Sequence, residues 1–423
     1  MDSNSTSVSS PNDDNSIFAH TKISETVTRS FPTLYIVVES FINPETLAPV
    51  LGGTETYTSA LITLATRYES RAFVFQKSMT PLQVEIQTGV FVESWQNVTQ
   101  LRHRLGELRA HSRGILILYG YPFAPNETEL PCLLIQHGVG ADGTEDPPDR
   151  PKWLVRLADF RRRVLYMQRI RSELHKYSSV SRVLCVDTNF INQMRANHPM
   201  FDWSSHLAYV PNFADISPPE VVEAKWNGER KKTVVLFARR FVAQRGIYLW
   251  ADCVKYLAPR FPDTEFRFVG FGEGQEYVDL LAQQLPNVHV YSKPYEEMQQ
   301  QHEEAHIEVI PSLWSEGTSL SCIEGMAAGC AMVCSDVGGL GNLILPEYNG
   351  IIVPPRADAF IKAVSNLLIN PDRIEFLSMK AYDTAKTSFS RIAWENRVIA
   401  IFDEITNQPI VPSLSRRQRI IRQ

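Results

Sequence analysis

The sequence predicts an α/β protein with two doubly wound domains, each built around a parallel sheet. In both halves of the 423-residue chain, short apolar runs of strand length alternate with segments of helical spacing. Strands joined by crossovers of this length pair in parallel, which favours a doubly wound sheet. The polar segment 216–232 interrupts the alternation and predicts a linker between two cores.

The rest of the chain divides into four segments. Residues 1–30 are rich in Ser, Asn and Asp and poor in apolar residues, which predicts a disordered leader. Residues 31–215 and 233–388 are the two predicted domains. Residues 389–423 are predicted to form a last helix followed by a solvated basic tail.

The predicted strands are apolar runs bounded by turn residues. In the first domain they are Leu34–Val38, Arg71–Phe75, Ile115–Tyr119, Leu133–Gln136, Val183–Val186 and Leu207–Val210. In the second they are Thr233–Ala238, Glu265–Gly270, Val288–Tyr291, His306–Ile310, Ala331–Cys334 and Ile351–Val353. Helices are predicted from Thr54, a candidate N-cap, to about Arg67, and at 245–260, 295–304, 357–369, 372–386 and 390–405.

Composition limits the function classes. The net charge of −5 does not favour nucleic acid as a partner. The six cysteines lie mostly inside apolar runs without Cys-x-x-Cys spacing, which predicts buried thiols in a reducing compartment rather than disulfides or a zinc site. No apolar run approaches the ~18 residues that cross a bilayer. Because the N-terminus is also unlike a signal peptide, we expect a cytoplasmic location.

The stretch from His306 to Gly329 carries the strongest functional signal. A strand runs into a turn at Pro311, and a helix of small residues begins near Thr318. Thr318 and Ser319 are candidate caps, so the positive end of the helix is predicted to point into the crevice beyond the strand, where an anion is favoured. Glu316 in the turn and Glu324 on the helix are candidate acceptors for hydroxyl groups.

The run from Ser315 to Gly339 resembles the Glu-x7-Glu signature of the retaining glycosyltransferases of family 4. In that family an EGF/S-type turn leads to an EAMA-x-G helix, a strand and a GG turn. The resemblance implies the GT-B fold, with two Rossmann-like domains facing across a cleft and a last helix that crosses back to the first. The donor would bind the second domain and the acceptor the first. The alternative is an ordinary strand–helix–strand unit with two solvated acids.

The resemblance also implies roles for the residues of this stretch. Glu316 would hold the hydroxyl groups of the transferred sugar, and Glu324 would hold the ribose. The backbone between them would line the sugar and phosphate pocket; it comprises Gly317, Thr318, Ser319 and Leu320.

Two further turns of the second domain resemble the family. The segment from Arg239 to Gly246 resembles G-R-L-x-x-x-K-G, so Arg240 and Arg245 would hold the donor's diphosphate. Arg239 stands where the family has glycine, and Arg245 replaces a lysine. The turn at Gly270 and Gly272 is similar to the family's G-x-G turn beside the nucleotide.

The first domain offers two candidate sites. Gly52, Gly53 and Glu55 resemble the GG-x-E turn of the acceptor domain, although a plain loop before a helix is the alternative. His137 directly follows a strand, where a histidine commonly caps or packs. The resemblance instead implies that His137 lies near the transferred sugar.

The segment 152–177 is basic, with eight Lys or Arg and two acids. Apolar residues recur along it at helical spacing, which indicates either a core-facing stripe under a solvated face or a cationic surface for anionic lipid. The second interpretation leaves a peripheral contact with the inner face of the membrane open.

Taken as a whole, the resemblance implies a retaining transfer of a sugar from a nucleotide-diphosphate sugar to an acceptor hydroxyl, in polysaccharide, glycan or glycolipid assembly. No cofactor is expected. The sequence contains neither Asp-x-Asp, the metal motif of the other large glycosyltransferase fold, nor a Walker glycine-lysine pair. The alternatives are a GT-B sugar-nucleotide epimerase and a catalytically silent sugar-nucleotide-binding protein.

Overall fold

A computed structural model describes most of the chain. The described residues are 31–50, 52–109, 114–119, 130–137, 160–161, 164–165, 177, 179–226 and 232–407. The predicted leader, most of the basic segment 152–177 and the tail beyond residue 407 lie outside them.

The first half forms an eight-stranded sheet. Its strands are β1 (Thr33–Val38), β2 (Ala72–Lys77), β3 (Gln83–Gln87), β4 (Val90–Trp95), β5 (Gly114–Leu118), β6 (Cys132–Gln136), β7 (Arg182–Cys185) and β8 (Leu207–Tyr209). The order is β3-β4-β2-β1-β5-β6-β7-β8, and only β3 runs antiparallel among the described pairs. The central strands β1 and β5 are buried along their length, apart from the partly buried Thr33, because helices cover both faces.

The hairpin of β3 and β4 corrects the prediction of a wholly parallel sheet. β3 is polar and mostly exposed, so it lacks the apolar run by which a buried strand is predicted. The turn that joins the two strands contains Gly89 at φ +79°, a conformation that favours glycine.

Three helices of the first half are described: α1 (Gly53–Arg67), α2 (Val98–Arg109) and α3 (Thr188–Asn197). The predicted N-cap of α1 was wrong, since Gly52 occupies that position and Thr54 lies inside the first turn. Asp187 caps α3, where its carboxylate accepts from the backbone N–H groups of Asn189 and Phe190.

The second half forms a six-stranded parallel sheet. Its strands are β9 (Thr233–Ala238), β10 (Thr264–Val269), β11 (Val288–Tyr291), β12 (Ile307–Ile310), β13 (Ala331–Ser335) and β14 (Gly350–Val353). Its helices are α5 (Ile247–Leu257), α6 (Gln275–Gln284), α7 (Met298–Glu304), α8 (Leu320–Ala327), α9 (Ala357–Leu368) and α10 (Pro371–Thr384). The order β11-β10-β9-β12-β13-β14 reverses direction between β9 and β12, which makes their carboxyl ends a topological switch point.

The predicted linker 216–232 contains a short helix, α4 (Pro219–Ala224), with proline at its first position. Val222 on this helix is fully buried, and a Cβ at Gly329 would come within 2.4 Å of it. This part of the segment therefore packs on the second half and is not an open tether.

The last helix, α11 (Arg391–Asn407), returns to the first half. The ring of Trp394 lies 5.1 Å from that of Tyr57, and Phe402 joins the same buried cluster. Phe389, one turn earlier, packs in the core of the second half instead. Apolar side chains at the start of this segment thus contact both halves.

The structure bears on the predictions for the cysteines and for membrane-spanning segments. All six cysteines are buried and free. No helix within the described ranges is long and apolar enough to cross a membrane. In the basic segment, Phe160 and Val164 are exposed, so these two residues do not belong to a core-facing stripe.

Candidate functional site

The switch point of the second sheet brings together two segments far apart in sequence. Arg239 directly follows β9, and the turn that carries Glu316 follows β12, the strand beside β9. Parallel strands end at the same edge of a sheet, so both side chains project into one crevice. This edge is the candidate site.

Glu316 is the centre of a buried charge cluster. Nη2 of Arg239 lies 2.7 Å from each carboxylate oxygen, and Nη1 of Arg245 lies 2.8 Å from Oε1. The hydroxyl of Ser312 donates to the same oxygen. Burial alone would raise the pKa of Glu316, but the two guanidinium groups outweigh it and lower the pKa to about 2. Glu316 is therefore ionised at neutral pH.

Arg239 is the site residue that sequence reasoning missed. Its side chain is 5% exposed and pairs with Glu316, whereas Arg240, the predicted partner of Arg245, is exposed. The available signal was the departure of Arg239 from the glycine of the family pattern. Arg245 contacts Glu316 as well, with a third of its side chain still open to the crevice.

Glycines hold the turn that carries Glu316. Gly338 has φ +53°, and a Cβ there would lie 2.4 Å from the backbone N of Glu316. The N–H of Gly339 donates to the carbonyl of Glu316 at 2.6 Å. On the opposite side, a Cβ at Gly317 would lie 2.6 Å from the carbonyl oxygen of His137. Only glycine permits these approaches, so the turn is fixed between the two halves.

The start of α8 differs from its prediction. Ser319 is at the N-cap but its side chain makes no capping hydrogen bond, and the hydroxyl of Thr318 donates to the carbonyl of Val186 in the first half. The side-chain amide of Asn212 donates to the carbonyl of Thr318 at 2.7 Å. Thr318 therefore ties the two halves together at this point and does not cap the helix.

Glu324 lies on α8 in a different setting. Its side chain is 23% exposed, and its Oε2 lies 3.8 Å from Nε2 of His302 on α7. Burial raises the pKa of Glu324, although the nearby imidazole opposes that shift. No arginine bonds to this carboxylate among the contacts of the described residues, so it is available to accept from a ligand.

The first half contributes aromatic walls around His137. Its ring stacks on Tyr119 at 5.3 Å and meets Tyr57 edge-on at 5.6 Å. Burial lowers the pKa of His137 to about 4, so the imidazole is neutral at neutral pH. Its Nε2 has no hydrogen-bond partner within the described part of the chain.

The predicted glycine loop lies at the start of α1. Glu55 accepts from the hydroxyl of Ser40 at 2.7 Å, and Gly52 leaves room for the Glu55 carboxylate. A Cβ at Gly53 would lie 3.7 Å from Leu320, which places this loop against the start of α8. The structure thus brings Gly53, Leu320, Gly317 and His137 to one region between the halves.

Gly270 and Gly272 lie against the chain itself. A Cβ at Gly270 would meet the carbonyl oxygen of Arg239 at 2.0 Å, and one at Gly272 would meet that of Phe241 at 2.6 Å. The G-x-G turn therefore packs so closely on the segment that carries Arg239 that neither position has room for a side chain. A nucleotide contact for either glycine remains a prediction.

Metal ligands are not clustered in the part of the chain that the structure describes. No group of three or more His, Cys, Asp or Glu side chains within the described ranges is arranged to hold an ion.

Comparison with known proteins finds sequence similarity in the second half of the chain. Residues 220–384, which include Arg239, Glu316 and Glu324, match the family model of the glycosyl transferases group 1. The chain is 26% identical over 171 residues to an uncharacterized glycosyltransferase of Methanocaldococcus jannaschii, covering 39% of this chain and 46% of the relative. It is 23% identical over 193 residues to the lipopolysaccharide 1,2-N-acetylglucosaminetransferase of Salmonella typhimurium, covering 43% and 50%. The chain therefore spans about half the length of these curated relatives.

Solved structures extend the likeness to the whole fold. Sucrose-phosphate synthase from Thermosynechococcus elongatus has a TM-score of 0.66 at 16% identity and covers 89% of this chain and 99% of its own. Anabaena HepE in complex with UDP-glucose has a TM-score of 0.61 at 14% identity and covers 88% and 100%. The fold is therefore GT-B, with two Rossmann-like domains, as predicted.

Proposed function

We propose that this chain is a retaining glycosyltransferase of family 4 that moves a sugar from a nucleotide-diphosphate sugar to an acceptor hydroxyl. The observation that carries the proposal is the cluster of Arg239, Arg245 and Glu316 at the switch point of the second sheet. It lies beside the start of α8, and the next residue after Glu316, Gly317, packs against the carbonyl of His137 in the first half. A donor in the crevice would therefore face an acceptor on the other half.

The charges of this cluster suit a departing diphosphate. Breaking the anomeric C–O bond leaves positive charge on the sugar and negative charge on the diphosphate. Two guanidinium groups against one carboxylate leave a surplus of one positive charge, and Arg245 is the more exposed of the two cations. Fixed positive charge where negative charge develops lowers the barrier. We propose that Arg245 binds the diphosphate and that Arg239 holds Glu316 and adds to the field.

Glu316 would act as a carboxylate, not as a proton donor. With a pKa near 2 it stays ionised throughout the physiological range. In this proposal its negative charge would lie beside the anomeric carbon as that carbon becomes positive, and its oxygens would accept from sugar hydroxyls. Attack by the acceptor on the face from which the diphosphate leaves would retain the anomeric configuration.

The remaining site residues would bind the two substrates. Glu324 would accept from the ribose hydroxyls, and the backbone from Gly317 to Leu320 would line the sugar and phosphates. Neutral His137 offers Nε2 to a sugar hydroxyl as acceptor or donor, according to its tautomer. Gly53 and Glu55 at the start of α1 would approach the acceptor or the donor from the first half.

The acceptor is proposed to be a sugar, glycan or glycolipid in the cytoplasm. Phe160, Arg161, Val164 and Leu165 of the basic segment are all exposed, so three apolar side chains and one arginine are exposed within six residues. That combination favours a peripheral contact with anionic lipid. Flotation with anionic and neutral liposomes tests it, and equal recovery with both contradicts the contact.

The activity is tested by following nucleoside diphosphate release from a panel of UDP-, GDP- and ADP-sugars, with and without cell extract as a source of acceptor. UDP-glucose comes first, since HepE is known in complex with it. Acceptor-dependent release that persists in EDTA is the expected result, because arginines take the place of a metal at the diphosphate. Conversion of the nucleotide sugar into its epimer without net release of diphosphate would support an epimerase, and binding without turnover would support a silent protein.

A further inference from the structure

A second buried charge cluster lies behind the candidate site. Glu308, on β12, has no exposed surface, and its Oε2 lies 2.8 Å from Nδ1 of His302. The Nε2 of His302 faces Glu324 Oε2 at 3.8 Å. A line therefore runs from Glu308 on β12 through His302 on α7 to Glu324, the predicted ribose-binding carboxylate, and ends at the crevice.

This line is not explained by packing. A fully buried glutamate inside an apolar strand costs folding free energy unless it is paired. Glu308 has one bonded oxygen, while its Oε1 and the Nε2 of His302 have no hydrogen-bond partner among the described residues. The room for Glu308 comes from Gly325, where a Cβ would lie 2.1 Å from Oε2. Gly325, the residue after Glu324, must therefore lack a side chain so that the Glu308 carboxylate can fit.

We propose that Glu308 and His302 are positioning residues that hold Glu324 ionised and oriented toward the ribose of the donor. This inference rests on the proposed function, in which Glu324 accepts from the ribose hydroxyls. Glu308 keeps His302 protonated, and the imidazolium attracts the Glu324 carboxylate. At 3.8 Å the second contact is ionic, so Glu324 keeps its lone pairs for a ligand.

The charges around His302 fix the sign of the pH dependence. Burial alone lowers the pKa of His302, but Glu308 and Glu324 outweigh it and the pKa rises. Lys225, whose ammonium donates to the carbonyl of His302, opposes this rise, and the Cys330 thiol donates to the same carbonyl. His302 is thus charged below its raised pKa. As the pH increases through that value, a neutral Nε2 lone pair comes to face the Glu324 carboxylate.

The experiment isolates the ribose hydroxyls. Calorimetry on the full chain gives the Kd of UDP and of 2′,3′-dideoxy-UDP, and their ratio reports what the hydroxyls contribute. The ratio in the wild type is expected to be about 10, the size of one charge-assisted hydrogen bond. It should fall at alkaline pH as His302 loses its proton, and on the acid side as Glu324 gains one.

Three variants test the positioning. His302→Gln and the double variant His302→Leu/Glu308→Leu should bring the ratio close to 1 and remove its alkaline decline. Gly325→Ala should do the same, because the new Cβ displaces Glu308. The double variant removes both buried charges together and so keeps the core apolar, which protects the fold. Inorganic pyrophosphate should bind all variants as it binds the wild type, since the arginines are untouched.

The outcomes separate this inference from the proposed function. The positioning role is wrong, and the ribose assignment stands, if the ratio of the two Kd values falls to about 1 in Glu324→Gln but stays at the wild-type value in the His302 variants. The same conclusion follows if the wild-type ratio does not decline at alkaline pH. If Glu324→Gln itself leaves the ratio unchanged, the ribose assignment of the proposed function fails, and the positioning role fails with it.

Discussion

Two glutamates of one strand–turn–helix unit have opposite electrostatic surroundings. Glu316, in the turn, lies between two arginines that lower its pKa to about 2. Glu324, on the helix, faces a histidine backed by a buried acid, and burial raises its pKa. The sequence spacing alone makes them look like a matched pair. The difference indicates that Glu316 is a fixed negative charge, whereas Glu324 is a carboxyl group whose ionisation folding disfavours.

The largest effect is expected where the Glu316 cluster loses a cation. Arg239→Met leaves a buried carboxylate with one partner fewer, and breaking such a pair costs about 3–5 kcal/mol of stability. Arg240→Met is the matched control, because the neighbouring arginine is exposed and should contribute less than about 1 kcal/mol. Thermal and urea unfolding of the two variants measure the difference. Equal losses would show that Arg239 does not stabilise the cluster.

This pair of arginines also shows where sequence reasoning reached its limit. Thr233–Ala238 was predicted at its observed bounds, since a continuous apolar run between polar ends has one simple interpretation. The order of the strands in the sheet is set by tertiary packing. The spacing of residues along the chain therefore did not reveal that the residue after β9 contacts the turn after β12. The resemblance directed attention to Arg240, whose exposed side chain lies outside the Glu316 cluster. Its contact with a diphosphate stays a prediction.

The same limit applies to acids hidden in apolar runs. Glu308 lies within a run that predicted β12 correctly, and a single polar residue there does not change the prediction of a strand. Its contact with His302 depends on the packing of α7 against the sheet. Polar edge strands such as β3 are missed for the opposite reason. Their exposed faces carry polar residues, so the apolar pattern that predicts a strand is absent.

The next effect separates the two glutamates in catalysis. Glu316→Gln removes a charge beside the atom that becomes positive, so kcat should fall by about 10²-fold, or about 2.7 kcal/mol. The Kd of the nucleoside diphosphate should not rise, because the arginines lose a competing negative charge. Glu276→Gln, an exposed acid of α6, is the control. A weakened Kd as large as that of Glu324→Gln would contradict the assigned roles.

Glu324→Gln should affect binding more than the chemical step. An interaction made equally before and during the reaction changes mainly affinity. We expect the Kd of the nucleoside diphosphate and the donor KM to rise about 10-fold, with kcat nearly unchanged. Calorimetry with the diphosphate alone measures this without any sugar in the site. A fall in kcat at constant KM would instead place Glu324 beside the sugar.

The smallest effect is the pH dependence of stability, and it should differ in sign between the two glutamates. The pKa of Glu316 is depressed in the folded state, so its contribution is present above the unfolded value near 4.5 and is lost as the pH falls toward about 2. The pKa of Glu324 is raised, so folding favours its protonated form. Ionising Glu324 above pH ~4.5 therefore costs stability.

Each glutamine variant removes one of these two contributions. Glu316→Gln should lower the melting temperature at pH 7. The decrease should be smaller at pH 3, because there the wild type also loses the stabilisation that this carboxylate provides. Glu324→Gln should be neutral or slightly stabilising at pH 7, because it removes the cost of a buried charge, although the histidine behind it loses a partner. Melting curves of the wild type and both variants between pH 3 and pH 8 measure the two slopes. If the two variants change the slope in the same direction, the electrostatic contrast between turn and helix is wrong.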